Sequence, residues 1–253
     1  MESHVFESAL ERVINDVVVP SASDVDREGR FPAAAVAALG EAGLFGLTVA
    51  TEHGGMGLGL AEAARVVERL ARACGSTAMV ACMHYSGVAV LNATAPAAVL
   101  REVAAGRHLS TLAFSEQGSR SHFWAPLSTA RADGDRVHLD ANKSWVTSAG
   151  HATAHVWSSR PTGGEGVSTL WLVPRDAAGL SGRGPFDGLG LRGNDSSPVR
   201  AQWVTVPAGA RLGGDGKGFD LMMGVVLPTF NFRLDDLPFS DEIPRIYAAA
   251  AAS

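Results

Sequence analysis

Apolar and polar positions recur with a helical period over the first hundred residues. In ESALERVINDVV (residues 7–18), Leu10, Val13, Ile14 and Val17 fall on one stripe, which predicts a helix ending before Pro20. FPAAAVAALGEAG (31–43) has Pro32 near a first turn and stops at Gly43, the asymmetry of a capped helix. GLAEAARVVERLARACG (59–75) carries Val66, Val67, Leu70 and Ala71 on one stripe, with Glu62, Arg65, Glu68, Arg69 and Arg72 largely outside it. Residues 76–91 and 96–105 predict two more, apolar, helices.

The pattern changes at about residue 108. LSTLAFSE, PLSTARAD, RVHLDANKSWVTS, TAHVWSSR, STLWLVP and PVRAQWVTVP are short and rich in Thr, Val and Trp. Gly, Asp and Pro separate them, and Asp133–Gly134 is a hairpin signal. Several short strands at close spacing argue for an antiparallel barrel or sandwich. After GGDGKG, residues 219–227 start something helical. The predicted order is an α-helical unit over 1–107, an antiparallel β-barrel unit over 108–212, then 213–253 as the start of a C-terminal helix and an atypical tail.

Composition narrows the class. With 46% hydrophobic and 19% charged residues the chain is globular rather than disordered. A net charge of −5, with no basic run, argues against nucleic-acid binding. No apolar stretch reaches the roughly 18 residues of a membrane span, and the charged, amphipathic N-terminus lacks a signal peptide's apolar core. Two cysteines, Cys74 and Cys82, without C-x-x-C spacing, fit a reducing cytoplasm.

Several motifs fail on context. Gly188-Leu-Gly190-Leu-Arg-Gly193 satisfies G-x-G-x-x-G, but Asn194, Asp195 and Pro198 follow where the fingerprint needs a helix. GGDGKGF lacks the spacing and the Ser/Thr of a P-loop. His151 and His155 in HATAH lack the Glu of a zinc-protease helix, so no metal site is expected, and no G-x-S-x-G occurs.

Two segments remain. LAFSEQGSRSHF (112–123) reads as a strand running into a loop of Ser115, Gly118, Ser119 and Ser121, whose N–H groups and hydroxyls suit anions or ring carbonyls. NKSWVTSAGHA (142–152) sets Trp145 and Thr147 two apart, so a strand would project an aromatic plane and a hydroxyl from one face. That pair could hold a flat heteroaromatic ring, or simply end a half-buried strand.

In this order the segments resemble the acyl-CoA dehydrogenase family. Its T-E-x-G-x-G-S-D loop is matched by Ser115-Glu116-Gln117-Gly118-Ser119-Arg120-Ser121-His122, and its K-x-W-[IV]-T-N strand by Lys143-Ser144-Trp145-Val146-Thr147-Ser148. EAGLFGLTVATEHGGMGLGL, DGLGLRGNDSSPVRAQWVTVP and RLGGDGKGFDLMM resemble three further family segments, in family order. The resemblance implies a helical N-terminal domain, a β-barrel middle domain and a C-terminal four-helix bundle. It also implies an FAD flavoprotein acting on an acyl-CoA or related thioester, with an electron-transfer partner and a homo-oligomeric or paralogue assembly. Leu112, Phe114 and Ser115 would meet the isoalloxazine's pyrimidine side, and Ser121 the FAD pyrophosphate and pocket mouth. Trp145 and Val146 would lie against the ring, with Thr147 near N5. His84, Ser121 and His122 would line the substrate pocket. Glu116 matches a structural family glutamate rather than a base.

The chain also departs from the family pattern. Arg120 replaces its second loop Gly, His122 its Asp, and Leu227 and Phe230 the Asp and Arg that often contact acyl-CoA. Pro228, Pro238 and Pro244 oppose a long helix beyond Met222. The tail reads as truncated or frame-shifted, which would leave no catalytic base and little dehydrogenase activity for the chain alone. A His/Arg-lined pocket (His84, Arg120, His122) would suit a flavin-dependent monooxygenase on the same scaffold, and a non-catalytic truncated paralogue is the third reading.

Overall fold

The computed structural model describes residues 2–230, apart from Ser121, Arg183, Pro185 and Phe186. Ser121 and the 231–253 tail, both read from the sequence above, lie outside the described residues. Helices come first: α1 (Glu2–Val13), α2 (Val19–Glu28), α3 (Ala33–Glu41), α4 (Leu60–Ala71), α5 (Gly75–Thr94) and α6 (Ala97–Ala104). Strands follow: β1 (Ser110–Ala113), β2 (Thr129–Asp133), β3 (Arg136–Val146), β4 (Ala154–Ser159), β5 (Thr169–Pro174), β6 (Leu180–Gly182), β7 (Ser197–Pro207) and β8 (Arg211–Leu212). Two short helices, α7 (Gly218–Leu221) and α8 (Leu227–Phe230), close the described chain.

The helical stripes bury as predicted. Leu10, Val66 and Leu70 are at most 1% exposed and join Leu39, Leu44 and Tyr85 in one cluster. Glu62 accepts from the N–H of Gly59 and so caps α4.

Pro20 does not end the first helix. A π turn over Ile14–Val18 links α1 directly to α2, with the Val19 N–H reaching back to the Ile14 carbonyl. Proline in a helix lacks a donor and crowds the carbonyl four residues back. The widened turn shifts the bonding register so that Pro20 enters a fresh first turn, where neither defect matters. The device recurs at Met222–Val226, where Leu227 N–H reaches Met222 O and Pro228 sits inside α8. The expectation that Pro228 stops the helix is therefore corrected over the described residues.

The strands form two four-stranded sheets, β1-β4-β5-β8 and β2-β3-β7-β6. Their facing sides share a core of Val137, Leu139, Trp157, Trp171 and Val204. β2 and β3 make the predicted hairpin, with Asp133 paired to Arg136. One pairing departs from antiparallel order: β1 runs parallel to β4, because it arrives from the helical part rather than from a hairpin.

Helix α5 positions β1. A Cβ at Gly87 would come within 2.4 Å of Ser110 Oγ, so only glycine allows this approach. The turn before α7 is held by Asp215, whose carboxylate accepts from the N–H groups of Thr162, Gly163 and Gly164 and from the hydroxyls of Thr162 and Thr169. Burial opposes its ionisation, but these donors outweigh it and hold its pKa well below the usual carboxylate range. The stabilisation is present above the unfolded value of 3.8 and is lost as pH falls. Asp215→Asn should therefore lower stability at neutral pH by about 1–3 kcal/mol and flatten the acid limb of stability against pH. Urea unfolding of both proteins between neutral and acid pH checks this.

Candidate functional site

β1, the loop after it and the end of β3 meet at one cleft of about 380 Å³. Five of the residues singled out in the sequence line it together: Leu112, Phe114, Ser115, Trp145 and Thr147. Backbone bonds hold this meeting in register, because Ser144 N–H donates to Ser115 O at 2.9 Å and Gln117 N–H to Asn142 O at 3.4 Å.

Trp145 is the prominent wall. Its side chain is exposed (61%), and its φ of 54° is the left-handed region, costly for a bulky residue. Between Lys143 and Val146 the pairing with β7 shifts register, so Ser144 and Trp145 form a bulge. This corrects the reason, though not the outcome, of the sequence reading: strand alternation does not bring Trp145 and Thr147 to one cleft, because the strand ends at Val146. Val146 itself points the other way, 1% exposed in the core between the sheets, and does not line the cleft.

Thr147 is fixed by its surroundings. Its carbonyl accepts from Thr111 Oγ1 at 2.7 Å, and its hydroxyl lies 3.1 Å from Ser196 Oγ. Ser196 in turn donates its N–H to Asn194 Oδ1. Either hydroxyl can donate in this pair, so Thr147 can turn its own hydrogen or a lone pair to a further partner. Ser196 was not singled out, although it stands in the GNDSSP segment that the sequence reading did mark. Met83 of α5, Phe123, Val226 and Leu227 complete the apolar lining. They come from α5, from the loop after β1 and from the helical run through 226–227, so no local pattern could reveal them together.

His84 does not line this cleft. It is fully buried, with Nε2 3.0 Å from Phe45 O and Nδ1 accepting from Ser110 N–H. Burial, against a weaker opposing bond to Phe45, pushes its pKa down to about 3, so it is a neutral strut between α5 and β1. His122 is exposed, its ring centroid 5.0 Å from that of Trp124, and is not part of the cleft lining. Arg120 is exposed on the same loop, at a φ of 51°.

Glu116 holds the loop. Its Oε2 accepts from the N–H groups of Leu127 and Ser128, and its Oε1 from Ser128 Oγ and Lys143 Nζ. Lys143 also donates to Ser158 O and Oγ. Burial alone would raise the Glu116 pKa, but the charge and hydrogen bond of Lys143 and the other donors bring it below the usual carboxylate value. Burial pushes Lys143 down to about 8 against the pull of Glu116, so both stay charged at neutral pH. A carboxylate so engaged is structural, as the sequence implied.

The cleft therefore joins an apolar slot, an indole plane, and two hydroxyls at the end of one strand and the start of one loop. Comparison with known proteins agrees with that arrangement. The acyl-CoA dehydrogenase N-terminal domain profile matches residues 1–106 and the middle domain profile residues 111–204. This chain belongs to the acyl-CoA dehydrogenase family. It is 32% identical over 212 residues to the human mitochondrial short-chain specific acyl-CoA dehydrogenase, covering 81% of this chain and 51% of that protein. Among solved structures, the acyl-CoA dehydrogenase from Geobacillus kaustophilus superposes with a TM-score of 0.84 at 23% identity, over 93% of this chain and 64% of that one. Butyryl-CoA dehydrogenase from Megasphaera elsdenii gives the same TM-score at 19% identity, again over 93% and 64%. The chain thus spans about half the length of the curated relatives it matches.

Proposed function

We propose that the cleft is the flavin-ring site of an FAD-dependent oxidoreductase that desaturates an acyl thioester between its α and β carbons. The observation that carries this reading is the convergence of Trp145, Thr147 and Ser115 on one slot walled by Leu112 and Phe114. These residues fit a flat, amphipathic ring. The exposed indole offers a stacking plane, the aliphatic walls exclude water, and the hydroxyls can bond polar ring atoms. FAD, when bound, would supply the hydride acceptor.

Each residue then has a task. Trp145 covers one face of the ring. Thr147, oriented through Ser196, offers a hydrogen bond to the ring edge where charge develops on reduction. The Ser115 loop, anchored by Glu116, presents its backbone and hydroxyl. Leu227 contributes an apolar wall where many relatives have a charged contact to CoA, which favours a substrate other than an ordinary straight-chain acyl-CoA. Among the described residues no carboxylate lines the cleft. We therefore infer that a partner chain supplies the carboxylate that abstracts the proton, and expect weak FAD binding and little turnover by the isolated chain.

The test is anaerobic mixing of the FAD-loaded chain with a panel of acyl-CoAs, with and without a co-expressed full-length relative. Slow or absent bleaching alone, with faster bleaching in the mixed assembly, is expected. Rapid bleaching by the isolated chain would overturn the assignment of the base.

A further inference from the structure

β1 divides two tasks between alternate residues. Leu112 and Phe114 wall the cleft, while Ala113 joins the apolar core between the two sheets. Thr111 stands two residues before Ala113 and shares its side of the strand. It is 0% exposed, so a hydroxyl enters a region where valine would suit the strand as well. A buried hydroxyl opposes folding unless it is bonded. Thr111 Oγ1 donates to Thr147 O at 2.7 Å, reaching from the first sheet to the end of β3 in the second.

That carbonyl lies past the sheet ladder. β3 pairs with β7 up to Val146, opposite Ser197, and Thr147 follows the strand's end. Ser148 then turns at a φ of 55°. Thr147 thus comes just after a bulge and just before a left-handed residue, where strand pairing does not orient it. Two side chains do: Thr111 at its carbonyl, and Ser196, 3.1 Å from its hydroxyl. Thr111 has the firmer base. β1 pairs with β4 at all four of its residues, and Ser110 N–H donates to His84 Nδ1 at 3.1 Å. Ser196 stands in the connection just before β7 begins.

The consequence falls on the cleft, which Thr147 lines and Thr111 does not. A hydrogen bond weakens steeply as its angle and length leave the optimum. A small drift of Thr147 would therefore spoil a contact to a ring edge while leaving the walls of the slot in place.

We propose that Thr111 is a positioning residue, whose hydroxyl sets the direction from which Thr147 meets a ring bound in the cleft. The identity of the ring rests on the flavin reading, whereas the tie from Thr111 to Thr147 is present in the ligand-free chain. The experiment compares wild type, Thr111→Val, Thr111→Ala and Thr111→Ser. Valine and alanine remove the hydroxyl with and without most of the side-chain volume, and serine keeps it. Amide hydrogen exchange is followed in the ligand-free proteins at Ser148, Ala149 and Gly150, whose N–H groups are bonded to Asn194 O, Asp195 O and Asp195 Oδ2. FAD is then titrated by its visible band. The expected result is exchange about tenfold faster there in Thr111→Val and Thr111→Ala, the weight of one hydrogen bond, with the β2–β3 hairpin unchanged. The same two variants should bind FAD about tenfold more weakly, with an altered band shape at saturation, and Thr111→Ser should match wild type in both. Equal exchange in all four proteins, or faster exchange with unaltered FAD titrations, would overturn the proposal. If wild type takes up no FAD, the flavin reading fails, and the exchange comparison by itself upholds or overturns the role of Thr111.

Discussion

Glu116→Ala is expected to lower folding stability by about 3–5 kcal/mol at neutral pH, because it leaves a buried ammonium without its counter-charge. Lys143 Nζ would keep only the Ser158 carbonyl and hydroxyl, and the N–H groups of Leu127 and Ser128 would lose their acceptor. Lys143→Met should cost less, since Glu116 retains three donors. The double variant should cost less than the sum, the signature of a shared interaction. The Glu116→Ala deficit should also depend on pH. The folded pKa of Lys143, about 8, lies below the unfolded 10.5, so stability rises with pH between those values. Removing Glu116 takes away the charge that holds the folded value up and extends that window downward. The deficit should then narrow as pH rises toward 8. Denaturant unfolding of the four proteins across that range checks both the size and the slope.

Trp145→Asn is expected to act in opposite directions on stability and on ligand binding. The left-handed backbone costs a non-glycine residue roughly 1–2 kcal/mol, and asparagine bears that cost best. The indole itself is 61% exposed. The variant should therefore unfold about 1 kcal/mol later than wild type. It should also lose the plane that the cleft offers to a ring, weakening flavin by at least about tenfold on the scale of an aromatic stack. A residue that strains the fold while walling a pocket is there for the pocket.

Much of this could be read from the chain, and the rest has identifiable physical causes. Helical stripes and the switch to Thr/Val/Trp-rich segments placed α3 to α6 and the six longer strands, because burial there follows the local period. β6 and β8, three and two residues long, are too short to carry a period. Pro20 and Pro228 look like helix stops in the sequence, but a π turn before each lets the chain continue. At the site, Trp145, Thr147, Leu112, Phe114 and Ser115 were legible as a group through the order of motifs. His84 was misplaced because an apolar helix says nothing of which neighbour claims an imidazole. Ser196 and the bulge that carries Trp145 depend on strand register, which only the folded sheet supplies.

Whether the slot beside Trp145 receives a flavin ring is tested by equilibrium titration of wild type and Trp145→Asn with FAD, followed by the visible flavin band. A saturable band shift is expected for wild type, and the same shift at least about tenfold weaker for a variant that remains folded. No shift with wild type, or identical titrations for the two proteins, would contradict it.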